Sequence, residues 1–372
     1  MSNPRERIFG ATPALLKAVG PFIGLVAVWG LFALTAGAVF TSWDNQRLML
    51  LQTAVVGTAA IGATLIIVCG GIDLSVGSTI ALGTVVGALA LRHGAPAWAA
   101  ALAGPVAGAG IGFAIGTMVT GRIQRIAAVV VAAFVGRKLW IEVGPAAGVL
   151  AGAATLAALL FLERRFAKRL ELSPFIVTLG LWGAVRGAAK GLGQNQPVYP
   201  PQDSLGFIPD LMVLDPEAPL ALPPGVWLLL AVAAGGAVLL NRTRLGRNLV
   251  AIGSNEATAR LCGIGVDRTK VLVYTLGVAC AGAASLLQLS FLSMGDPTTA
   301  SGYELQVIAA AVIGGASLAG GEGSISGTLI GALIMTVVDN GCTKLGLDNW
   351  VQETVTGAII VAAVALDRAR RR

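Results

Sequence analysis

The sequence is poor in charged and aromatic side chains. Only 12% of its 372 residues are charged and 6% are aromatic, whereas soluble domains carry about 25% charged residues. Hydrophobic residues reach 55%, and the mean hydropathy is +0.80. A soluble protein of this composition would lack the polar residues needed to cover its surface. These shortages exclude disordered, fibrous and nucleic-acid-binding proteins, and they predict an all-α integral membrane protein with many spans.

Residues that carry chemistry are also scarce. The single histidine, His93, has no neighbouring ligands, and the four cysteines form no CxxC pair, so neither a metal site nor a disulfide framework is predicted. The sequence contains no GxxxxGK[ST] phosphate-binding loop, no HExxH and no GxSxG motif. We therefore predict no catalytic residue, no metal and no cofactor on this chain.

Twelve apolar runs are long enough to suggest membrane spans, since a spanning helix needs about 20 apolar residues. Arg137 and Lys138 interrupt the fifth run, so ten spans remain an alternative. The runs are 21–40, 48–69, 74–91, 97–119, 126–141, 145–162, 174–191, 225–240, 271–292, 303–319, 323–341 and 351–366.

The distribution of charge orients these spans. Lys and Arg gather in 163–169, 241–270 and the basic tail 367–372, whereas 192–224 contains neither. Because basic residues favour cytoplasmic loops, 192–224 is predicted to be external and both termini cytoplasmic. The chain is then one transmembrane domain. It divides into a cytoplasmic tail 1–20, a first half 21–191 with an extra hairpin 122–172, the external loop 192–224, and a second half 225–366 with the cytoplasmic loop 241–270.

An internal repeat links the two halves. Residues 70–89 and 314–333 align without a gap, with nine of twenty positions identical. Each copy places a Gly pair inside an apolar stretch, and glycine costs about 1 kcal/mol relative to alanine in a helix. Unwound backbone at membrane depth is tolerated only where it is buried or lines a polar cavity. The pattern predicts broken helices beside a translocation pathway; a tight cytoplasmic turn is the alternative.

Candidate pathway residues follow from this pattern. Asp73 is predicted to cap a helix beginning at Leu74 and, as an intramembrane carboxylate, to line the pathway. Arg186 lies near the outer end of its run and could donate to a polar ligand. Other charges near spans, such as Glu304 and Asp339, are predicted to reach the interface. The full set of predicted pathway residues is Gly70, Gly71, Asp73, Ser75, Gly314, Gly315, Ser317 and Arg186.

Two further patterns concern packing and docking. Glycines spaced four apart predict close helix packing in lipid; they are Gly104, Gly108, Gly112 and Gly116, with a second set at Gly323, Gly327 and Gly331. Residues 255–261 read as a short amphipathic helix that Asn255 caps and Gly263 ends. Such a helix in a cytoplasmic loop indicates a docking element for a soluble partner, or a helix resting on lipid headgroups.

Four motifs in order carry a family resemblance. They are GGIDLSVGS at 70–78, PFIVTLG at 174–180, GRNLVAIGSNEATARLCGI at 246–264 and AAAVIGGASLAGGEGSISGTLIGAL at 309–333. Together they resemble the permease subunits of bacterial monosaccharide ABC importers of the ribose, xylose, arabinose and galactose type. The family usually reads Asn-Pro-Glu-Ala-Ala-Arg where this chain has Glu256 at the proline position, which leaves the contact of the acidic residue open.

The resemblance implies the other parts of an importer. It implies a multi-pass dimer in the bacterial inner membrane, a cytoplasmic ATPase subunit that holds ATP and Mg²⁺, and an extracytoplasmic sugar-binding protein. The chain itself would not be an enzyme. Alternatives are a permease for a nucleoside, polyol, autoinducer-like sugar or branched-chain amino acid, or an ion-coupled secondary transporter. The resemblance also implies a coupling helix that docks on the ATPase, with the residues Asn255, Glu256, Ala257, Ala259, Arg260 and Gly263.

Overall fold

The computed structural model describes residues 4–166, 170, 172–214 and 222–370. Within these ranges the chain forms fourteen α-helices and no β-strand. The last residues of the predicted basic tail and the acidic part of the external loop lie outside the described residues. The helices are α1 Pro4–Thr41, α2 Trp43–Val68, α3 Val76–Arg92, α4 Ala97–Val119, α5 Ile123–Glu142, α6 Pro145–Phe166, α7 Pro174–Leu192, α8 Pro224–Arg242, α9 Arg244–Ser254, α10 Glu256–Leu261, α11 Val266–Leu292, α12 Tyr303–Ile313, α13 Ile325–Lys344 and α14 Asn349–Arg370.

Seven segments are long and apolar enough to cross a membrane, in agreement with the predicted all-α, multi-pass fold. They are Gly20–Thr41, Trp43–Val68, Ala97–Val119, Pro145–Glu163, Pro224–Arg242, Val266–Leu292 and Ile325–Lys344. The two shorter apolar helices, α3 and α12, differ from the predicted runs. The run 74–91 becomes helical only at Val76, and the run 303–319 leaves the helix after Ile313.

Helix α2 is the central helix of the bundle. Every residue from 53 to 68 is buried, and α2 packs against α8, α11, α12 and α13. Polar pairs join it to α13: the Thr64 and Thr328 hydroxyl oxygens are 2.7 Å apart, and Asn45 Nδ2 donates to Asn340 Oδ1 at 2.8 Å. A helix that is apolar all round must be surrounded by other helices, and this arrangement supplies that environment.

The predicted glycine stripes are confirmed as close-packing surfaces. The first stripe lies on α4, and a Cβ added at any of its four glycines would overlap atoms of α11. These glycines are Gly104, Gly108, Gly112 and Gly116. On α13, Gly327 and Gly331 lie against the backbone of Gly314 and Ala310 in the same way. Small residues let helix backbones approach closely where lipid gives no hydrophobic drive for association.

Residues 122–172 contain the helical hairpin α5–α6. Its helices meet at Gly136, Gly148 and Gly152, where a Cβ would press on the backbone of the opposite helix. Arg125 Nε and Glu163 Oε2, 3.0 Å apart, form an ion pair at the end where both helices meet the rest of the bundle. The outer faces are apolar and exposed, as expected of helices that contact lipid.

Helix α3 begins beside the middle of α11. Gly71, before α3, packs against Tyr274, and Gly83, within α3, packs against Ser285. The first residue of α3, Val76, therefore lies near the centre of α11, so α3 spans only part of the bundle. The ungapped repeat pairs Gly77 in α3 with Gly321 in a loop; the two copies therefore differ in local structure.

We predict that Gly108→Ala destabilises the bundle, because its Cβ would overlap the Val278 carbonyl oxygen. Overpacking of this kind costs about 1–3 kcal/mol. Gly110→Ala on the same helix is the matched control, since that position is exposed with open space around it. Thermal unfolding in detergent should show a lower midpoint for Gly108→Ala only, and equal midpoints for the two variants would contradict this packing.

Candidate functional site

Two short helices begin side by side in the interior of the bundle. Gly77, in the first turn of α3, lies against the Ala300 carbonyl and the Glu304 carboxylate at the start of α12. Non-helical segments, 71–75 and 293–302, lead into these two helices. A helix N-terminus carries a partial positive charge and free N–H groups. The two N-termini therefore create a polar site among apolar helices.

Asp73 belongs to this site, but it does not cap α3. Its side chain is 2% exposed, and its Oδ1 accepts bonds from the Ser75 backbone N–H at 2.8 Å and from Ser75 Oγ at 2.7 Å. The prediction of a cap for a helix at Leu74 is wrong, because this local turn delays the helix to Val76. The second oxygen, Oδ2, is buried and has no hydrogen-bond partner among the described residues.

Glu304 supplies a second carboxylate from the first turn of α12. Its Oε1 accepts a hydrogen bond from Trp182 Nε1 of α7 at 3.0 Å, and its Oε2 is buried with no partner in the described part of the chain. The interfacial position of Glu304 stays a prediction. Sequence reasoning also missed Trp182; the available signal was an acidic residue two positions after Gly302, whose φ is +83°.

Arg186 lies at the same site and is already hydrogen-bonded. Its Nη1 donates to the carbonyl oxygens of Pro297 at 3.1 Å and Thr299 at 2.6 Å. These carbonyls belong to the non-helical segment before α12, so Arg186 fixes the path of that segment. Donation from Arg186 to a ligand stays a prediction.

The other predicted pathway residues lie farther along the two segments. Gly70 has φ +80° and ends α2, while Gly71 lies against the Tyr274 side chain. The remaining three, Gly314, Gly315 and Ser317, follow the opposite end of α12. The site thus brings together Asp73, Ser75 and Arg186 with Glu304 and Trp182.

These groups suit a neutral, hydroxyl-bearing solute. The two unpartnered carboxylate oxygens can accept hydrogen bonds from hydroxyls, and the Trp182 ring, 40% exposed, offers a face for stacking. Bonds to a charged acceptor contribute about 1.5–3 kcal/mol each.

The loop 241–270, predicted to be cytoplasmic, contains the predicted short helix. Asn255 Oδ1 accepts the Thr258 backbone N–H at 2.9 Å, which confirms the cap, and Gly263 ends the helix with φ +80°. Ala259 lies on the buried face of this helix. The outward residues include Ala257, Arg260 and Leu261, of which Leu261 is 88% exposed. An apolar side chain this exposed outside the spans marks a contact surface, and sequence reasoning did not single it out.

Ion pairs fix α10 to the base of α11. Glu256 accepts bonds from Lys270 Nζ at 2.6 Å and Arg260 Nη2 at 3.0 Å, and Arg260 also pairs with Asp267 at 3.1 Å. Partial burial raises the pKa of Glu256, but the hydrogen bonds from Lys270 and Arg260 outweigh this, so the pKa lies below its ordinary value. The acidic residue therefore stays ionised and anchors α10 within its own subunit.

Gly253, in the last turn of α9, connects this loop to both glycine-rich segments. A Cβ there would overlap the Val68 carbonyl oxygen and would also contact the backbone nitrogen of Gly321. Gly320 lies against the Gly253 backbone as well. The Gly321 backbone N–H also donates to Val68 O at 2.9 Å. The end of α2, the loop before α13 and the helix before α10 thus meet through direct backbone contacts.

Comparisons with known proteins identify the family of this chain. Residues 121–364 match the family described as "Branched-chain amino acid transport system / permease component". The chain is 33% identical to the ribose import permease protein RbsC of Escherichia coli (strain K12), over 93% of each chain. It is 32% identical to the xylose transport system permease protein XylH of the same strain, over 94% of this chain and 91% of that one. No solved structure matches significantly.

A third relative agrees over a shorter stretch. The L-arabinose transport system permease protein AraH of Escherichia coli (strain K12) is 36% identical over 204 residues, which cover 55% of this chain and 60% of that relative. The predicted resemblance to sugar ABC permeases is confirmed by these relatives, as is the prediction of a transport subunit rather than an enzyme. The family match covers more than half of the chain and two relatives match almost all of it, so the protein belongs to the family of ABC importer permease components.

Proposed function

We propose that this chain carries a monosaccharide across the bacterial inner membrane as the permease subunit of an ATP-driven importer. The relatives named for ribose, xylose and arabinose transport support a sugar as cargo. The observation that carries the proposal is the pair of buried, unpartnered carboxylate oxygens of Asp73 and Glu304 beside Trp182. Sugar hydroxyls are donors that carboxylate oxygens of this kind can accept.

The pathway runs along the two broken elements. We assign α3 and α12, each preceded by its non-helical segment, as two of twelve crossings, with both termini in the cytoplasm. Broken helices beside a central solute site are a common device in transporters built from repeats. In this assignment Gly70 and Gly71 begin one element. Gly314, Gly315 and Ser317 end the other near the cytoplasmic loop, and Asp73, Ser75 and Arg186 shape the centre.

A separate ATPase subunit, which holds ATP and Mg²⁺, docks on α10 in this proposal. The exposed Leu261 and Arg260 contact the partner, while Ala259 and the Glu256–Lys270 ion pair hold α10 to the permease. Movement of α10 reaches the pathway through Gly253, whose backbone touches both glycine-rich segments. The nucleotide state can then bias the pathway between outward and inward conformations.

A second copy of the chain completes the membrane unit. One face of α7 is open, with no neighbouring atom near a Cβ added at Gly180, Gly183, Gly187 or Gly191. These positions follow helical spacing, and small-residue stripes of this kind let helices associate in lipid. An extracytoplasmic binding protein delivers the sugar, and the segment between α7 and α8 lies on its side of the membrane.

Transport assays test the cargo and the energy source. Proteoliposomes holding this chain with its ATPase and binding protein should accumulate labelled ribose, xylose or arabinose only when ATP is present. Vesicles without the ATPase are the control. Accumulation driven by a proton or sodium gradient alone would instead support a secondary transporter, and competition by leucine but not by sugars would support an amino-acid permease.

We predict that Glu304→Gln lowers sugar uptake by about tenfold, since a hydrogen bond to a charged acceptor is weakened. Glu353→Gln, at an exposed position on α14, is the matched control and should transport normally. Assembly with the ATPase should be unchanged in both variants, as judged by co-purification. Wild-type uptake by Glu304→Gln would remove this carboxylate from the pathway.

We predict that Gly253→Ala uncouples ATP hydrolysis from transport. Its Cβ must displace the Val68 carbonyl or the 320–321 loop, and uptake should fall by about tenfold, within the usual range of allosteric coupling. Gly265→Ala, in the same loop but with open space around it, should remain close to wild type. ATPase stimulation by the sugar-loaded binding protein is the measurement, and equal stimulation in the two variants contradicts the coupling route.

A further inference from the structure

A second polar cavity lies between α2, α11, α12 and α13. Its volume is about 60 Å³, and the turn containing Met212 adjoins it. This space would hold about two water molecules. The polar residues that line it are Gln52, Gln288, Tyr303, Gln306, Thr336 and Asp339.

The lining has an excess of hydrogen-bond acceptors. Gln52 Oε1 is buried without a partner among the described residues. Gln288 Nε2 donates to Thr299 Oγ1 at 2.9 Å, and the Thr336 hydroxyl donates to the Ala332 carbonyl. Both residues therefore direct their donors away and retain free oxygen lone pairs.

The cavity also holds a carboxyl group that has no cationic partner among the described residues. Asp339 is half-buried, and its carboxylate makes no hydrogen bond or ion pair with any described residue. The lining contains no Lys, Arg or His. A charge at this depth is costly unless it is paired. The cavity therefore lacks a positively charged group and does not lack hydrogen-bond acceptors.

We propose that this cavity binds a small monovalent cation such as Na⁺. One carboxylate matches one positive charge, and carboxylate, carboxamide and hydroxyl oxygens are the ligands that hard cations prefer. The volume suits an ion with a water molecule. The ion would link four helices of the bundle. This site is separate from that of Asp73 and Glu304, so it does not depend on the proposed transport function.

Protonated Asp339 is the competing explanation, and ion-dependent stability distinguishes the two. Purified full-length protein in detergent is heated in increasing NaCl, with choline chloride holding ionic strength constant. A ligand that binds only the folded protein raises the unfolding midpoint with saturation. We expect a saturating rise of about 2 °C or more for the wild type.

Variants assign the response to the cavity. Asp339→Asn should lose the sodium response, whereas Asp203→Asn, at an exposed position in the external loop, should keep it. If Asp339→Asn does not yield folded protein, Gln52→Leu provides the test and should need about tenfold more sodium for half of the effect. A flat wild-type response, or a response of wild-type size and midpoint in Asp339→Asn or Gln52→Leu, would overturn the proposal.

Discussion

Backbone that is not helical must find hydrogen-bond partners inside the membrane, and the centre of this protein depends on that constraint. Side chains supply the partners. Arg186 bonds two carbonyls of the segment before α12, Thr178 Oγ1 donates to Ile72 O at 3.3 Å, and Ser78 Oγ donates to Trp182 O at 2.8 Å. Helix α7 provides most of these contacts. It therefore acts as a support that allows two helices to begin in mid-bundle.

Glycine residues allow the backbones of this bundle to touch directly. Where two helices or loops must touch through their backbones, any side chain would keep them apart, as at Gly108 beside α11 and Gly253 beside Val68. When one backbone of such a pair moves, the other must move with it, because no flexible side chain lies between them. Direct backbone contacts thus connect α9, the helix before α10, to the glycine-rich segments that adjoin α2 and α13.

Features that depend on residues close together in the sequence could be predicted, and features that depend on distant residues could not. The cap at Asn255 and the end at Gly263 follow from neighbours within a few residues, and both were predictable. Hydropathy alone could not show that α12 ends at Ile313, because apolar residues continue beyond it. The bond between Trp182 and Glu304 joins residues 122 positions apart. Such a pairing depends on the tertiary fold, and no spacing rule within one segment would reveal it.

The central position of α2 has a consequence for biosynthesis. This helix leaves the ribosome early, yet its partners on α13 come 264 residues later for Thr64 and 295 later for Asn45. Until then each side chain relies on a bond to a nearby carbonyl, from Thr64 Oγ1 to Ala60 O and from Asn45 Nδ2 to Phe40 O, both at 2.8 Å. Since contacts between residues far apart in sequence slow folding, the packing of α2 against α13 is completed only after most of the chain has been translated.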